Sequence, residues 1–550
     1  MLRNIVGLTF IACLQALSED ATLLQSEHKT QETFLDLDSA GAEIVLNHTP
    51  LLFLDWSMVD GGQIDWVGPD GNTLPLNDPH GLKSPEEAHP IPMGVPSGVA
   101  IRAQPAEKRG VFSDLLPAEF PWEEGKRKAH TLLFDDSAKV YRVWYDCAGG
   151  LAYAESDDLK TWRKPLLNAS AFRDQPSTNL VYIANLDACR ESGMFQRPES
   201  LAVAASGTVF VDPSTDPSER YKTTILASAT PEKLKAFAES KGKPLSSRVS
   251  EVSANVLFPA VSADGVSWRV IPEPDFLHDA DTQTVVFYDT RIKKYVLYTR
   301  LWEFGRRSIG RSESDTFLDF PLARPVLRGG ANESAVVDFY ANAMARYPGR
   351  DEVHLMFVTA YDRRVENSAI RLASSRDGVL WDFVSREAIL LPGAANDWDS
   401  HFVIAPPSFV RAPDGDLMLL YNAYNYPHKF PRAGFVEGNQ GTARWKADRI
   451  AAIEAVEEGY FNTPRVTLQG NKILLNVQTA RAGEVRVELR DASFAPIAGR
   501  SFEESDPITG DDTAIEVTWK GSGDLSALNG QRLHVAFRMR SAKLFAVYAE

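Results

Sequence analysis

Carboxylates stand ahead of three successive apolar strands in this chain: Asp279 and Asp281 before Thr282–Tyr288, Asp338 before Phe339–Tyr347, and Asp397 and Asp399 before His401–Ile404. Groups of this type brought to one pocket are the equipment of acid–base hydrolysis. One carboxylic acid protonates a departing oxygen, one carboxylate activates water or attacks carbon, and a third tunes the acid. On this reading Asp281 and Asp399 form the acid and base pair and Asp338 modulates them, with acid and base left unassigned. A single Asp before a strand also caps a turn for purely local reasons, so the joint placement carries the expectation.

The elements that must hold these residues repeat. Between about Thr131 and Glu454 an apolar strand, a polar turn and a second apolar strand recur five times. The first strands are Thr131–Phe134, Gly207–Val211, Gln283–Tyr288, Asn342–Tyr347 and Pro407–Arg411, and their partners are Val140–Tyr145, Tyr221–Leu226, Tyr295–Tyr298, Val353–Val358 and Leu417–Tyr421. Units close on Ser-x-Asp-Gly-x-x-Trp turns at Ser262–Trp268 and Ser375–Trp381, with variants at Ser156–Trp162 and Ser312–Phe320. Asp and Gly shape such a turn, and Trp packs between neighbouring sheets. Short antiparallel sheets that cannot bury both faces alone are satisfied radially, which predicts an all-β chain with a five-bladed propeller. The first strand of each blade lines the central channel, so residues at the strand entries converge.

Length and composition divide the rest. The 550-residue chain has 44% hydrophobic residues, ample for more than one core. Met1–Ser18 has the basic, apolar and small-residue regions of a secretory leader, with Ala16-Leu17-Ser18 at the cleavage site. That predicts a secreted or periplasmic protein, and Cys13 offers a lipoprotein anchor as the minor variant. Residues 19–110, rich in Pro, Gly and Asp, wrap or close the propeller, which occupies 111–456, with a helical insertion at Pro231–Glu239. From 457 to 550 tight alternation at Thr463–Leu468, Ile473–Val477, Val485–Leu489, Ile515–Trp519, Leu533–Phe537 and Leu544–Tyr548 predicts a small β-sandwich. A net charge of −16 opposes binding to nucleic acid or an anionic membrane. No second apolar run reaches membrane-spanning length. Cys147 and Cys189 can form a disulfide in an oxidising compartment or remain buried thiols, and no cysteine cluster points to a metal or other cofactor.

This order of domains, with Ser-x-Asp-Gly-x-x-Trp turns, resembles the fructosidase and arabinanase superfamily of glycoside hydrolases. A closer likeness is to exported proteins described as glycosyl hydrolase family 32-like. The segments that carry it are Tyr153–Ser156, Asp281–Asp289, Ser505–Asp511, Trp519-Lys520-Gly521 and Asp524–Leu528. The resemblance implies a propeller with a C-terminal sandwich and hydrolysis of glycosidic bonds by carboxylates, without cofactor. Departures bear on substrate. Asn77-Asp78-Pro79-His80-Gly81 is similar to the fructosidase Asn-Asp-Pro-Asn-Gly segment, but no first-blade strand follows it directly. Arg-Asp-Pro and Glu-Cys are absent from the chain, which argues against fructans.

Several residues are candidates for binding a carbohydrate. Gln283 and Tyr340 stand at strand entries, and His130 and His401 could hydrogen-bond a sugar hydroxyl or pass a proton. Glu199 is an alternative acid from blade two. Arg300, Arg306, Arg307 and Arg311, with Trp302 nearby, would fork onto an anionic group or pair with the chain's own acids. Tyr424, Tyr426 and His428 fit an aromatic rim for a sugar face, or core packing. Two other functions fit the same architecture: a carbohydrate-binding propeller without a carboxylate pair, and a phosphorolytic enzyme with a basic pocket beside one acid.

Overall fold

The computed structural model describes residues 43–67, 73–74, 89–125, 127–167, 170–203, 208–246, 248–249, 254–280, 283–330, 333–429 and 438–550. The leader, the Asn77–Gly81 turn and Asp281 lie outside these residues. Five antiparallel sheets follow one another along the chain, each starting from one of the expected first strands. Blade one is built from Lys128–Asp135, Val140–Cys147, Gly150–Ser156 and Trp162–Arg163. Blade two uses Phe210–Val211, Tyr221–Ser228, Asn255–Ser262 and Ser267–Val270, and Tyr182–Ile183 adds a parallel edge. Blade three runs through Val285–Asp289, Lys294–Glu303, Arg306–Ser314 and Arg324–Leu327. In blade four the first strand is split into Val337–Ala341 and Met344–Tyr347, followed by Arg350–Asp362, Asn367–Ser375 and Asp382–Leu390. Blade five, likewise split at Phe402–Ile404 and Phe409–Arg411, continues through Leu417–Tyr424 and Asn439–Trp445.

The ring is closed by the segment that precedes blade one. Glu107–Val111 is the outermost strand of blade five, pairing Glu107 with Arg444 and Val111 with Gly441. The propeller therefore begins at Glu107, ahead of the expected boundary at Val111. Side chains also stitch the heads of the first strands around the channel. Val209 N donates to Thr131 Oγ1 at 3.2 Å, Thr208 Oγ1 to the Thr284 carbonyl at 3.3 Å, Gln283 Nε2 to the Asn342 carbonyl, and Leu132 N to Ser408 Oγ at 3.1 Å. The channel holds a cavity of about 710 Å³ walled by Leu133, Val209, Val285, Met344 and Phe409.

The closing turns explain their own sequence. Asp264 Oδ1 accepts from Val266 N and Ser267 N at 2.8 Å, and Asp377 Oδ1 accepts from Val379 N and Leu380 N at 2.8 Å. Gly265 and Gly378 have φ of 80° and 77°, and an added Cβ would stand 2.9 Å from the Trp144 ring and 2.8 Å from Tyr298 Oη respectively. The close approach has a purpose: Trp144 Nε1 of blade one donates to Gly265 O of blade two at 2.7 Å, and Tyr298 OH of blade three donates to Gly378 O of blade four. Each Asp-Gly turn is thus the hook on which the preceding blade hangs. Trp268 Nε1 and Trp381 Nε1 complete their own turns by donating to the same glycine carbonyls at 2.9 Å. The variant in blade one puts Leu159 in the left-handed position at φ 57°, and Trp162 donates instead to Leu115 O at 2.8 Å.

Helix Pro231–Ser240 forms the expected insertion in blade two. Cys189 is buried in the helix Leu186–Ser192, and Cys147 ends a blade-one strand; both are free thiols. After the propeller comes an eight-stranded sheet that recruits Ile44–Leu46, Leu51–Leu52 and Ala100–Ala103 from the N-terminal stretch. It starts at Ala451 rather than at the expected 457. Segments read as separate strands are continuous. Ile473–Arg490 and Arg532–Ala549 each run for 18 residues, because register shifts such as that between Thr479 and Glu484 absorb the breaks in alternation. Leu468, Leu475, Val487, Phe537 and Val547 form its core, which is continuous with Phe357, Leu419 and Tyr421 of blades four and five.

Candidate functional site

First strands start, second strands end and third strands begin at the same, upper mouth of the channel. At that mouth, between blades three and four, the split strand Val337–Ala341 carries Asp338 and Tyr340, and the hairpin joining Lys294–Glu303 to Arg306–Ser314 carries Arg300, Trp302 and Arg307. Asp338 is wholly buried, with Arg307 Nη1 2.6 Å from its Oδ2 and Arg363 Nε 3.5 Å from its Oδ1. Arg307 lies over both Trp302 and Tyr340, its Cζ 4.2 and 4.9 Å from the ring centroids, and Arg300 lies over Tyr340 at 4.1 Å. These stacked guanidinium planes fix the arginines by cation–π contact as well as by charge.

A second carboxylate reaches the same indole from blade two. Arg248, from the insertion that follows the helix, lies 4.9 Å from the Trp302 centroid and pairs with Asp279, itself 4% exposed. Asp279 and Asp338 are thereby tied through two arginines to opposite contacts of Trp302. Next to Asp279, burial pushes the His278 imidazole below its usual range while the neighbouring carboxylate opposes the shift. Tyr340 continues the wall toward blade five. His428 Nε2 lies 2.7 Å from its hydroxyl, and Phe402 stacks on the His428 ring at 4.4 Å.

Buried polar atoms without a hydrogen-bond partner gather here: Asp279 Oδ1, His278 Nδ1, Trp302 Nε1, Arg307 Nε, Asp338 Oδ1, Arg363 Nε and both amide atoms of Asn342. Each such group costs about 1–3 kcal/mol. Among the described residues, no group of three or more His, Cys, Asp and Glu is arranged to hold a metal ion.

The structure brings together Asp338, Arg300, Trp302, Tyr340 and, at the channel head, Gln283. It does not bring Asp399 to them. Asp399 faces the flank between blades four and five: Lys108 of the outermost strand approaches its Oδ2 at 2.5 Å and Tyr421 OH donates to it at 3.1 Å. The loop before it is folded back by a 2.9 Å bond from Gly393 N to Asp399 O, so the carboxylate reaches a fourth strand rather than the axis. The partners of Asp399 are thus Lys108 and Tyr421, distinct from those of Asp338. His130 is occupied by Asp146, at 2.9 Å on blade one. Glu199 is exposed on the short turn Pro198–Ser200. His401 lies beside Ser400, and Tyr424 reaches the aromatic wall through Phe402, with centroids 6.2 Å apart. Arg311 leaves the arginine group for Glu313 and Tyr298 lower in blade three. Sequence reasoning missed Arg248, Arg363 and His278, because nothing in their local sequence marks them as pointing to the mouth.

No family model matches the chain. Among curated proteins, an A type blood N-acetyl-alpha-D-galactosamine deacetylase of Flavonifractor plautii is 28% identical over 152 residues, covering 24% of this chain and 20% of that protein. The match thus spans about a fifth of the length of the curated relative. Three solved structures are similar at low identity. A thermostable family-43 glycoside hydrolase is 14% identical with a TM-score of 0.37, covering 60% of this chain and 93% of that chain. The N-acetylgalactosamine deacetylase from F. plautii in complex with blood group B trisaccharide is 12% identical with a TM-score of 0.38, covering 63% and 96%. A Bombyx mori GH32 beta-fructofuranosidase is 8% identical with a TM-score of 0.33, covering 77% and 90%. All three are carbohydrate-active enzymes.

Proposed function

We propose that the protein is a glycoside hydrolase that works at the upper mouth between blades three and four. Asp338 and Asp279 supply carboxylates, Asp281 is the further carboxylate expected from the sequence, and Trp302 and Tyr340 supply the sugar platform. The observation that carries this reading is the pair of buried mouth carboxylates, Asp338 and Asp279, held by arginines against Trp302, each with one oxygen that makes no hydrogen bond. Hydrolysis then follows the two-carboxylate scheme, in which a protonated acid delivers its proton to the glycosidic oxygen and the other carboxylate activates water or attacks the sugar. Export directed by Met1–Ser18 belongs to the same proposal, and N-terminal sequencing of protein recovered outside the cytoplasm tests it.

The deciding experiment measures release of reducing sugar from plant, algal and animal glycans by the wild type and by Asp338→Asn, Asp281→Asn, Asp279→Asn and Asp399→Asn. Release is expected to disappear in Asp338→Asn and in at least one of the Asp279 and Asp281 variants while their folds persist, and to survive in Asp399→Asn. Binding without release by the wild type would replace hydrolysis with the carbohydrate-binding reading. The convergence of Arg248, Arg300, Arg307 and Arg363 on this mouth favours phosphorolysis as the second reading, for which release must depend on added inorganic phosphate.

A further inference from the structure

The tip of the blade-three hairpin does not follow the ordinary chemistry of turns. Glu303 pairs with Arg306, leaving Phe304 and Gly305 as a two-residue loop, and both have positive φ, 49° and 73°. This geometry selects Asn-Gly or Asp-Gly, because an L residue with a large side chain is penalised in the left-handed region. Phe304 is nevertheless there, and its side chain is 93% exposed. Among the described non-glycine residues with positive φ it is the one exposed large apolar side chain; Phe494 lies 4.3 Å from the His534 ring and Leu159 is buried. Neither the turn nor the core accounts for an aromatic at this position.

The tip is held in place. Arg363 donates from Nη1 to Gly305 O at 3.2 Å while its Nε stands 3.5 Å from Asp338 Oδ1, so one guanidinium spans the tip and the mouth carboxylate. Ser308 Oγ donates to Glu303 Oε2 at 2.7 Å, and Arg328 lies 3.6 Å from Glu303. Val365, on the blade-four hairpin that carries Arg363, is also exposed, at 55%. A solvent-facing aromatic ring on a backbone tip held in place presents a flat apolar face, which suits the apolar face of a sugar ring.

We infer that Phe304 is a stacking subsite for a sugar unit beyond the scissile bond, and that the substrate is therefore an oligo- or polysaccharide chain running out of the mouth over blade three. The inference rests on the proposed glycan-cleaving function of the same mouth, and its backbone strain is the kind retained at functional positions.

The test uses the full chain with Phe304→Asn, Phe304→Trp and Asp338→Asn. Binding is followed by affinity electrophoresis in arabinan, xylan, pectic galacturonan and mucin glycans, and melting temperature by calorimetry. Phe304→Asn is expected to weaken glycan binding tenfold or more while raising Tm by about 1–2 °C, since Asn relieves the turn. Phe304→Trp should keep the affinity, and Asp338→Asn should keep binding but lose release. Equal binding by wild type and Phe304→Asn overturns the subsite and leaves the hydrolase reading standing. Binding that depends on Phe304 without release by the wild type leaves the subsite standing and overturns hydrolysis. If no glycan in the set retards the wild type, the subsite is overturned, and a Tm gain in Phe304→Asn then reports turn chemistry alone.

Discussion

At the lower mouth of the channel, Asp135, Asp212 and Asp289 end the first strands of blades one to three, and each is clamped by the next blade. Asp135 takes Arg142 at 2.9 Å and Arg220 of blade two at 2.7 Å. Asp212 takes Lys222 at 2.7 Å and Tyr295 OH of blade three at 2.6 Å, and Asp289 faces Arg346 and His354 of blade four. At the upper mouth, Asp279 and Asp338 are as deeply buried, yet each keeps an oxygen with no hydrogen bond, beside arginine and tryptophan N–H groups in the same condition. The same residue types thus serve two ends of one barrel of strands. Hydrogen bonds and cations from the next blade make the lower carboxylates blade clamps, most completely at Asp135 and Asp212; at the upper mouth one oxygen of each carboxylate makes no hydrogen bond, a cost that a ligand can recover.

The contrast can be broken or sharpened by substitution. The largest effect is expected at the upper mouth: Asp338→Asn should lower glycan release per folded molecule by about 10²–10⁴-fold, and it should also lower the melting temperature because it removes the charge facing Arg307 and Arg363. The lower mouth should behave in reverse. Asp135→Asn removes the charge shared by Arg142 and Arg220, leaving Arg142 only Glu155, and should cost up to about 3–5 kcal/mol by denaturant titration, leaving the release rate of the folded fraction unchanged. Smaller again, Gly265→Ala drives a methyl group toward Trp144 at a φ of 80°, and a loss of about 1–3 kcal/mol is expected without loss of release.

Acid should also separate the two ends. Burial pushes Asp135, Asp212 and Asp289 up, but their hydrogen bonds and cations outweigh it and hold all three below the usual range, Asp289 at about 2. Their folded-state values lie below the unfolded value, so their contribution is whole above about pH 4. It is lost as pH falls toward 2, and a melting series from pH 6 to pH 2 should show it. Asp275 runs the other way. Full burial raises it to about 8, against opposing backbone N–H groups and Lys243. Folding therefore loses stability as pH climbs from the unfolded value toward 8. Asp275→Asn should gain over the wild type across that window, with the gap level above it; a gap already present at pH 4 would contradict this account.

The blades were legible because each is a local event: an alternating strand, a polar turn, and an Asp-Gly hook closed by its own Trp. Asp338 was legible for the same reason, since it sits on the strand that its position predicts. Asp399 misled because an Asp before a first strand has two places to go, over the mouth or down the flank. The choice is made by the fold of Leu391–Ser400 against Lys108, a residue nearly three hundred positions away in sequence. Arg248 and Arg363 were invisible because their roles depend on which loop of a neighbouring blade lies beside them. The C-terminal strands were cut short for a different reason: a register shift restores pairing after a polar interruption, so two short patterns become one bent strand.

Glu107–Val111 completes blade five from the opposite end of the propeller sequence, Ile44–Leu46 lies along Val466–Leu468, and Leu51–Leu52 pairs with Ala546–Val547. Early-synthesised strands must therefore wait, unpaired, for partners made hundreds of residues later, and none of these seams can form until nearly the whole chain is available. Maturation is accordingly a slow zip of distant edges, and a nascent or truncated chain has no intermediate stopping point at which the ring is shut. The ring is closed only when Glu107–Val111 and Asn439–Trp445 have met.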